Sequence, residues 1–420
     1  MPERSLGDWL AHLERIHPAS IDLGLSRVTA VARELGLLPF TQRSLMIAGT
    51  NGKGSVAYSA DALLRAHGLS TGRYTSPHLA SFNERITRNA EPVADELILE
   101  AFAAIEHARA EVTLTYFEFA TLAALWVFRR ENVDVAILEI GLGGRLDAVN
   151  IVDSDVAVIT AIDLDHQHWL GDTVDEIAPE KAAIARPGRP VVLAEGNYPR
   201  SLFATLASIG AAILRAGDEW SWREEGSRLH LSVEGQRLRL PVPEGLRPAN
   251  VAAAVRASRY LLGNEFSEIV AEAALGDLVV PARCELRDIA GRELLIDVAH
   301  NPAAMEVLAS FIKRLPTRRS VAMLGVMEDK DYDAMATSLA DCVDGVCAVA
   351  IPGIARAAAP EAVWQALDRA GIAIAQTDFS LAGVWEQLLE RTQVGDRIVV
   401  CGSFYTVAGI LALLRADSSG

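Results

Sequence analysis

Leu45-Met46-Ile47-Ala48-Gly49-Thr50-Asn51-Gly52-Lys53-Gly54-Ser55 is the stretch on which the fold of the chain turns. Its apolar first four residues predict a buried strand, and Val56 to His67, stopped by Gly68, predicts a helix. A glycine-rich turn between strand and helix aims backbone N–H groups and the positive end of a helix dipole at one point, where a polyphosphate is held. Lys53 would meet the outer phosphate oxygens and Ser55 a magnesium ion. The spacing departs from the common P-loop: counting back from Gly52-Lys53, the first glycine falls on Ile47, and Gly54 separates the lysine from the hydroxyl. Glycines also serve packing alone. Their combination with lysine and serine in so short a loop favours phosphate.

Downstream, Val133 to Ile140 reads as a parallel strand covered on both faces. Glu139 stands near its carboxyl end, where open α/β sheets place their ligands. The glycine-rich Gly141-Leu142-Gly143-Gly144-Arg145-Leu146-Asp147-Ala148-Val149-Asn150 follows. A further strand, Val156 to Ile162, runs into Asp163-Leu164-Asp165-His166-Gln167-His168-Trp169-Leu170-Gly171. Its aspartates and histidines match no zinc spacing, and one of them supplementing a magnesium shell fits better. Glu180-Lys181 lies in a predicted helix, Thr173 to Arg186.

Upstream, Ser5 to His17 carries apolar residues at helical spacing, with Ser5 as N-cap and Asp8 at the capping-box position. Ser26 to Leu35 is a second helix, and Ile21-Asp22-Leu23-Gly24-Leu25 between them reads as a connecting turn. Gly72 to Tyr74 predicts a strand that opens into a loop, Thr75 to Leu79 and Phe82 to Ile86. Helices at Ala94 to Ala110 and Phe117 to Arg130 follow, the second buried. Glu118 near its start, after Thr115-Tyr116-Phe117, suits the helix dipole.

Beyond Val191 come alternating elements, a β-rich patch (Leu229 to Val233, Arg237 to Leu240) and a helix from Asn250 to Leu262 with Asn250 as its cap. A boundary is expected near Val279-Val280-Pro281-Ala282-Arg283, giving domains 1–282 and 283–420. The second domain restarts as a smaller doubly wound α/β unit without a Gly-x-Gly-x-x-Gly fingerprint. Its strands are Leu294 to Val298, Val321 to Gly325, Val346 to Ile351 and Arg397 to Cys401. Polar sets at their ends (Asp297, His300 and Asn301; Asp329 to Asp331; Gly402 and Ser403) suggest a ligand in the cleft between domains.

Composition narrows the function. The chain has 420 residues, half of them hydrophobic, with net charge −16. That balance argues against nonspecific nucleic-acid binding and against docking on an acidic membrane. The longest apolar run, Phe119 to Phe128, is too short to span a bilayer. Glu3, Asp8 and Glu14 interrupt any signal segment. The four cysteines lack Cys-x-x-Cys spacing and read as reduced thiols of a cytoplasmic protein.

Taken in order, these stretches resemble the folate branch of the Mur ligase superfamily, the bacterial bifunctional dihydrofolate synthase/folylpolyglutamate synthases. Matches run from Ile21–Leu25 through Gly49–Ser55, Thr75–Leu79, Phe117–Ala120, Leu138–Asn150, Asp165–Gly171, Glu180–Ala182, Asp297–Pro302 and Asp329–Asp331 to Cys401–Ala408. The resemblance implies a P-loop ATPase-like domain of the Mur central type plus a Rossmann-like ligase domain. It implies ATP on Gly49, Thr50, Asn51, Gly52, Lys53, Gly54 and Ser55, with Asn250, Arg283, Asp297 and His300. Magnesium would fall to Ser55, Ser76, Glu139 and His166. Pterin and folate contacts would come from Asp22, Leu23, Gly24, Thr115, Tyr116, Phe117, Glu118, Leu146, Asp147 and Ala148. Lys53, His166 and Lys181 would be catalytic, Lys181 as a carbamate, with K+ as a further ion.

The implied reaction is ATP-dependent addition of L-glutamate to dihydropteroate and to reduced folates through an acyl phosphate, by a cytoplasmic monomer. Polyglutamylation alone is the alternative. A peptidoglycan-type Mur ligase fits less well, because those carry a separate domain before the ATP loop. An ATP-hydrolysing switch would have no use for the second set of polar strand ends. Two departures stand out: Pro281-Ala282-Arg283-Cys284 replaces the family's Pro-Gly-Arg-Phe, and Glu180-Lys181-Ala182-Ala183-Ile184 replaces Glu-Lys-Ala-Gly-Ile. His168 has no assigned role.

Overall fold

The computed structural model describes residues 4–17 and 21–417; Glu3 lies outside them. Two compact units divide the chain, the first Met1–Pro243 with Arg247–Leu278, the second Glu244–Leu246 with Val279–Gly420.

The first unit is built on eight strands: β1 (Arg43–Ala48), β2 (Thr71–Tyr74), β3 (Ile86–Arg88), β4 (Glu91–Pro92), β5 (Val135–Glu139), β6 (Val156–Ile159), β7 (Pro190–Leu193) and β8 (Ala212–Arg215). They lie in the order β4-β3-β2-β5-β1-β6-β7-β8. From β2 to β8 all neighbours are parallel. β1, the strand read first from the sequence, is flanked by β5 and β6, with Ile47 opposite both Glu139 and Val158. That register sets the nucleotide loop, the end of β5 and the end of β6 side by side. Aromatic side chains of the helices pack one face of the sheet: Trp9, Phe102 and Phe119 touch one another within a single buried core.

The N-terminal helix is Leu6–Leu13, and Ser5 and Asp8 do form its capping box. Helices Ser26–Glu34, Asp95–Arg109 and Tyr116–Arg130 fall within a residue or so of expectation. The helix after the nucleotide loop begins at Lys53, a turn earlier than read, because Gly52 in the left-handed region starts it.

The expected cap at Asn250 is corrected. The helix is Pro248–Leu262, with proline in its first turn and Arg247 at the cap position, so Asn250 is a buried residue inside it. Strand β3 starts at Ile86, where the sequence predicts loop, and β4 lies in a stretch to which the sequence reading assigns no element. A second small sheet, β9 (Trp220–Glu225), β10 (Arg228–Val233) and β11 (Gln236–Pro241), also exceeds the two strands expected. β9 escapes a pattern reading because most of its side chains face solvent.

The second unit carries β12 (Glu285–Ile289), β13 (Arg292–Ile296), β14 (Ser320–Leu324), β15 (Gly345–Ala348) and β16 (Arg397–Cys401), ordered β12-β13-β16-β14-β15. The last four strands are parallel and joined through helices, as the alternation of the sequence requires. β12 is an antiparallel edge strand that the sequence reading missed. Among the described residues, no helix is long and apolar enough to cross a membrane.

Candidate active site

The nucleotide loop takes its shape from two glycines. Gly49 has φ +145° and a Cβ there would run into the Thr160 side chain. Gly52 has φ +96°, and its Cβ would fall 2.6 Å from Asn250 Oδ1. Both positions therefore exclude other residues on conformation and on space. Asn250, reached from a distant part of the chain, is the floor on which Gly52 sits. Lys53 Nζ donates to the carbonyls of Gly49 and Thr50, each at 3.1 Å. Thr50 latches the loop to the end of β6: its N–H donates to Ala161 O at 2.7 Å, its hydroxyl donates to Asp163 O and accepts from Asp163 N–H, both at 3.0 Å. His166 follows on that anchored loop with φ +52°, its N–H donating to Asp165 Oδ1 at 2.8 Å. Its neighbour His168 stands edge-on to Trp169 at 5.5 Å.

At the end of β5, Glu139 is 5 % exposed and accepts from the Ser76 N–H at 3.4 Å. The two residues expected to share a metal are thus adjacent, Ser76 just past β2 and Glu139 at the end of its parallel neighbour β5. The glycine loop after Glu139 is folded around Asp147. Its carboxylate accepts from the N–H groups of Gly141 (3.0 Å), Leu142 (2.8 Å) and Val149 (2.9 Å). Burial pushes the Asp147 carboxyl up to about 6, against these donors and Lys53. Of the three loop residues expected to meet pterin, Asp147 and Ala148 are buried and Leu146 is half-buried.

Lys181 arrives from helix Val174–Ala182 and is 4 % exposed. Its Nζ donates to Gly49 O at 3.1 Å, the same carbonyl that Lys53 uses. Burial, reinforced by the charge of Lys53, pushes its amine down to about 7. Gly144 allows the approach: a Cβ there would lie 2.5 Å from Glu180 O and 3.2 Å from Lys181 Cα. Arg145 closes the contact, its N–H on Glu180 O and its Nε on Glu180 Oε1, both at 2.9 Å.

On the other side of β5, Thr115 caps helix Tyr116–Arg130 in a reciprocal pair with Glu118: the Thr115 N–H reaches Glu118 Oε2 at 2.8 Å and the Glu118 N–H reaches Thr115 Oγ1 at 3.2 Å. Glu118 thus closes a capping box, beyond the helix-dipole role that its position suggested. It also pairs with Arg27 Nη2 at 3.2 Å, while Arg27 Nη1 holds Asp22 at 2.7 Å. Phe117 lies over Gly141, whose Cβ would meet its ring at 2.5 Å, and is 6.0 Å from Tyr74. Arg85 donates to His78 Nδ1 at 2.8 Å and lies 5.4 Å from the Tyr116 ring. Burial, then the charge of Arg85, pushes His78 down to about 4, so it accepts as a neutral ring.

In the second unit, Asp297 at the end of β13 accepts from the N–H groups of Cys284 and Ala299, both at 2.7 Å. Burial raises its pKa, opposed by Arg283. Phe404 gathers this set, with Arg283 at 5.5 Å and His300 at 6.1 Å from its ring. An aromatic partner for Arg283 is thus present although Cys284 stands where the family has phenylalanine. Asn301 caps the following helix, Pro302–Arg314, by accepting from the Ala304 N–H at 2.9 Å.

Arg27, Arg85 and Phe404 were not singled out in the sequence. Arg27 meets Glu118, Arg85 the Tyr116 ring and Phe404 Arg283 from elements remote in the chain, and no short motif announces such a meeting.

Comparison with known proteins places this geometry. The model of the Mur ligase middle domain matches residues 47–245 and that of the Mur ligase glutamate ligase domain residues 282–404. The dihydrofolate synthase/folylpolyglutamate synthase of Escherichia coli K12 is 38% identical over 99% of this chain and 97% of its own. The structure of E. coli FolC in complex with DHPP and ADP superposes with TM-score 0.93 at 37% identity, covering 100% of both chains. That of a bifunctional folylpolyglutamate synthase/dihydrofolate synthase with Mn, AMPPNP and L-glutamate bound gives TM-score 0.90 at 36% identity, covering 98% of both.

Proposed function

The chain belongs to the Mur ligase family, and from that premise we propose that it is an ATP-dependent carbon–nitrogen ligase of folate metabolism. It adds L-glutamate to dihydropteroate, giving dihydrofolate, and to reduced folates, extending their glutamate chain. The observation that carries this reading is the convergence of Lys53, Lys181 and the Glu139–Ser76 pair around one glycine-built loop.

A carboxylate resists attack by an amine because its carbon bears little positive charge. One of its oxygens therefore takes the γ-phosphoryl group of ATP with loss of ADP, and the neutral amine of glutamate then displaces phosphate from the acyl carbon and loses a proton. Lys53 is set for the first step. Its two loop carbonyls are acceptors that it can exchange for phosphoryl oxygens, adding charge where charge develops. Loop N–H groups and the helix start at Lys53 support the same oxygens.

The donor set suits magnesium: the Glu139 carboxylate and the Ser76 and Ser55 hydroxyls offer hard oxygens, and His166, on the loop anchored by Thr50, is proposed as a further donor. Bound there, the ion would neutralise phosphate charge. Lys181, with its amine near neutrality, can add CO2 and become a carbamate, which reverses its charge beside Lys53. Asp22 to Gly24, Thr115 to Glu118 and Leu146 to Ala148 are proposed for the pterin, with Asp147 acting through the loop it folds. Arg283, Asp297 and His300 of the second unit are proposed for the nucleotide. We place the protein in the cytoplasm, in keeping with its four free cysteines, and take it as a monomer from the family resemblance.

ADP release by the purified protein tests the proposal, with ATP, magnesium and L-glutamate, each acceptor supplied and omitted in turn. Glutamate-dependent turnover with both dihydropteroate and tetrahydrofolate is expected. Turnover with tetrahydrofolate alone would leave only polyglutamylation, and turnover independent of glutamate would mean an ATPase.

A further inference from the structure

We propose that Arg27 is a positioning residue for the pterin end of the acceptor. The proposal rests on the reading that the Asp22–Gly24 turn and the start of helix Tyr116–Arg130 contact that ring. Asp22 and Glu118 come from segments far apart in the chain, and Arg27 joins them. Its Nη1 pairs with Asp22 Oδ2 at 2.7 Å, its Nη2 donates to Asp22 O at 2.9 Å and pairs with Glu118 Oε1 at 3.2 Å. His17 Nε2 adds a second contact to the same Asp22 oxygen at 3.2 Å, while its Nδ1 is 3.1 Å from Thr113 Oγ1.

One of these contacts is a hydrogen bond, Nη2 to the Asp22 carbonyl, and the two carboxylate contacts are ion pairs. Two carboxylates and a backbone carbonyl thus lie against one planar, delocalised cation, a span that the compact ammonium of a lysine does not cover. Glu118 is itself locked, since its other oxygen closes the capping box with the Thr115 N–H. Arg27 therefore transfers the rigidity of a helix end to a turn that has no regular hydrogen bonding of its own. Both contacts to the Asp22 side chain fall on Oδ2, and that side chain keeps 41 % of its surface exposed, so Oδ1 can still accept from a ligand N–H. A pterin presents an amino group and a ring N–H along one edge, the donors such an oxygen takes.

Because both acceptors share the pterin and differ beyond it, loss of Arg27 should weaken both alike. Steady-state ligation by the full chain is measured for wild type, Arg27→Ala, Arg27→Lys and Asp22→Asn, with dihydropteroate and with tetrahydrofolate. Both Arg27 variants are expected to raise KM for the two acceptors by about tenfold and by matching factors, with kcat and the KM values for ATP and glutamate little changed. Should Arg27→Ala fail to fold, Arg27→Lys carries the test, since it keeps the charge and loses the breadth of the guanidinium. Arg27 variants that leave acceptor KM unchanged while Asp22→Asn raises it overturn the positioning role alone. Asp22→Asn without effect overturns the premise that this turn meets the pterin. A uniform fall in kcat with every KM altered would make the network structural, and overturn the proposal too.

Discussion

Two lysines meet on one acceptor, the carbonyl of Gly49, each at 3.1 Å. Burial, reinforced by the charge of Lys53, brings Lys181 down to about 7 from the 10.5 of a free lysine. The sign of the consequence follows. Below pH 7 the amine is protonated and inert to CO2, and above it the neutral form dominates. Reactivation of CO2-stripped enzyme by bicarbonate should therefore quicken as pH rises through about 7, followed by activity and by the carbamate carbon in a 13C spectrum; a rate flat across that range would remove the assignment. The same depressed value means that between pH 7 and 10.5 the unfolded chain binds the extra proton, so the cost of burying this residue is complete below pH 7 and falls away as pH rises through that window. Lys53→Ala removes the only loop side chain that can follow the transferring phosphoryl group, and kcat should drop by about a hundred- to a thousandfold. Both lysines were legible in the sequence from their motifs. Their shared carbonyl was not, because it depends on Gly144 admitting the second helix.

Among the elements, hairpins were the hardest to read. The turns Asn89-Ala90, Glu234-Gly235 and Ala290-Gly291 all place positive φ at both central residues, as two-residue hairpins require. Only two of them contain a glycine, and none is Asn-Gly or Asp-Gly, so the turn signal was missing even though the strands pair regularly. The buried parallel strands, by contrast, are continuous apolar runs and were found with little error. The segment Ala282-Arg283-Cys284 is the element where this chain departs from its family, and the structure shows the consequence. Ala282 and Cys284 adopt φ +53° and +46°, a region that favours glycine. Gly245 packs against Cys284, where a Cβ would fall 2.8 Å from the cysteine's own. Restoring the family residue with Ala282→Gly should relieve about 1 kcal/mol of strain, partly offset by the freer unfolded chain. A raised urea midpoint is the expected reading, and a lowered one would mean that the alanine methyl matters more than the backbone.

For the whole molecule, the proposed function asks one acceptor site to serve two reactions. Dihydropteroate and tetrahydrofolate should each inhibit ligation of the other competitively, with an inhibition constant close to its own KM; noncompetitive inhibition would call for separate sites. The net charge of −16 gives such anionic substrates no general attraction, so binding falls to local cations such as Lys53 and Arg145. The decisive measurement follows the oxygen atoms. Dihydropteroate labelled with 18O in its carboxylate is ligated to glutamate, and the released phosphate is examined by mass spectrometry. Activation of the carboxylate by phosphoryl transfer at the Lys53 loop predicts one 18O in each phosphate formed; phosphate without label would contradict it.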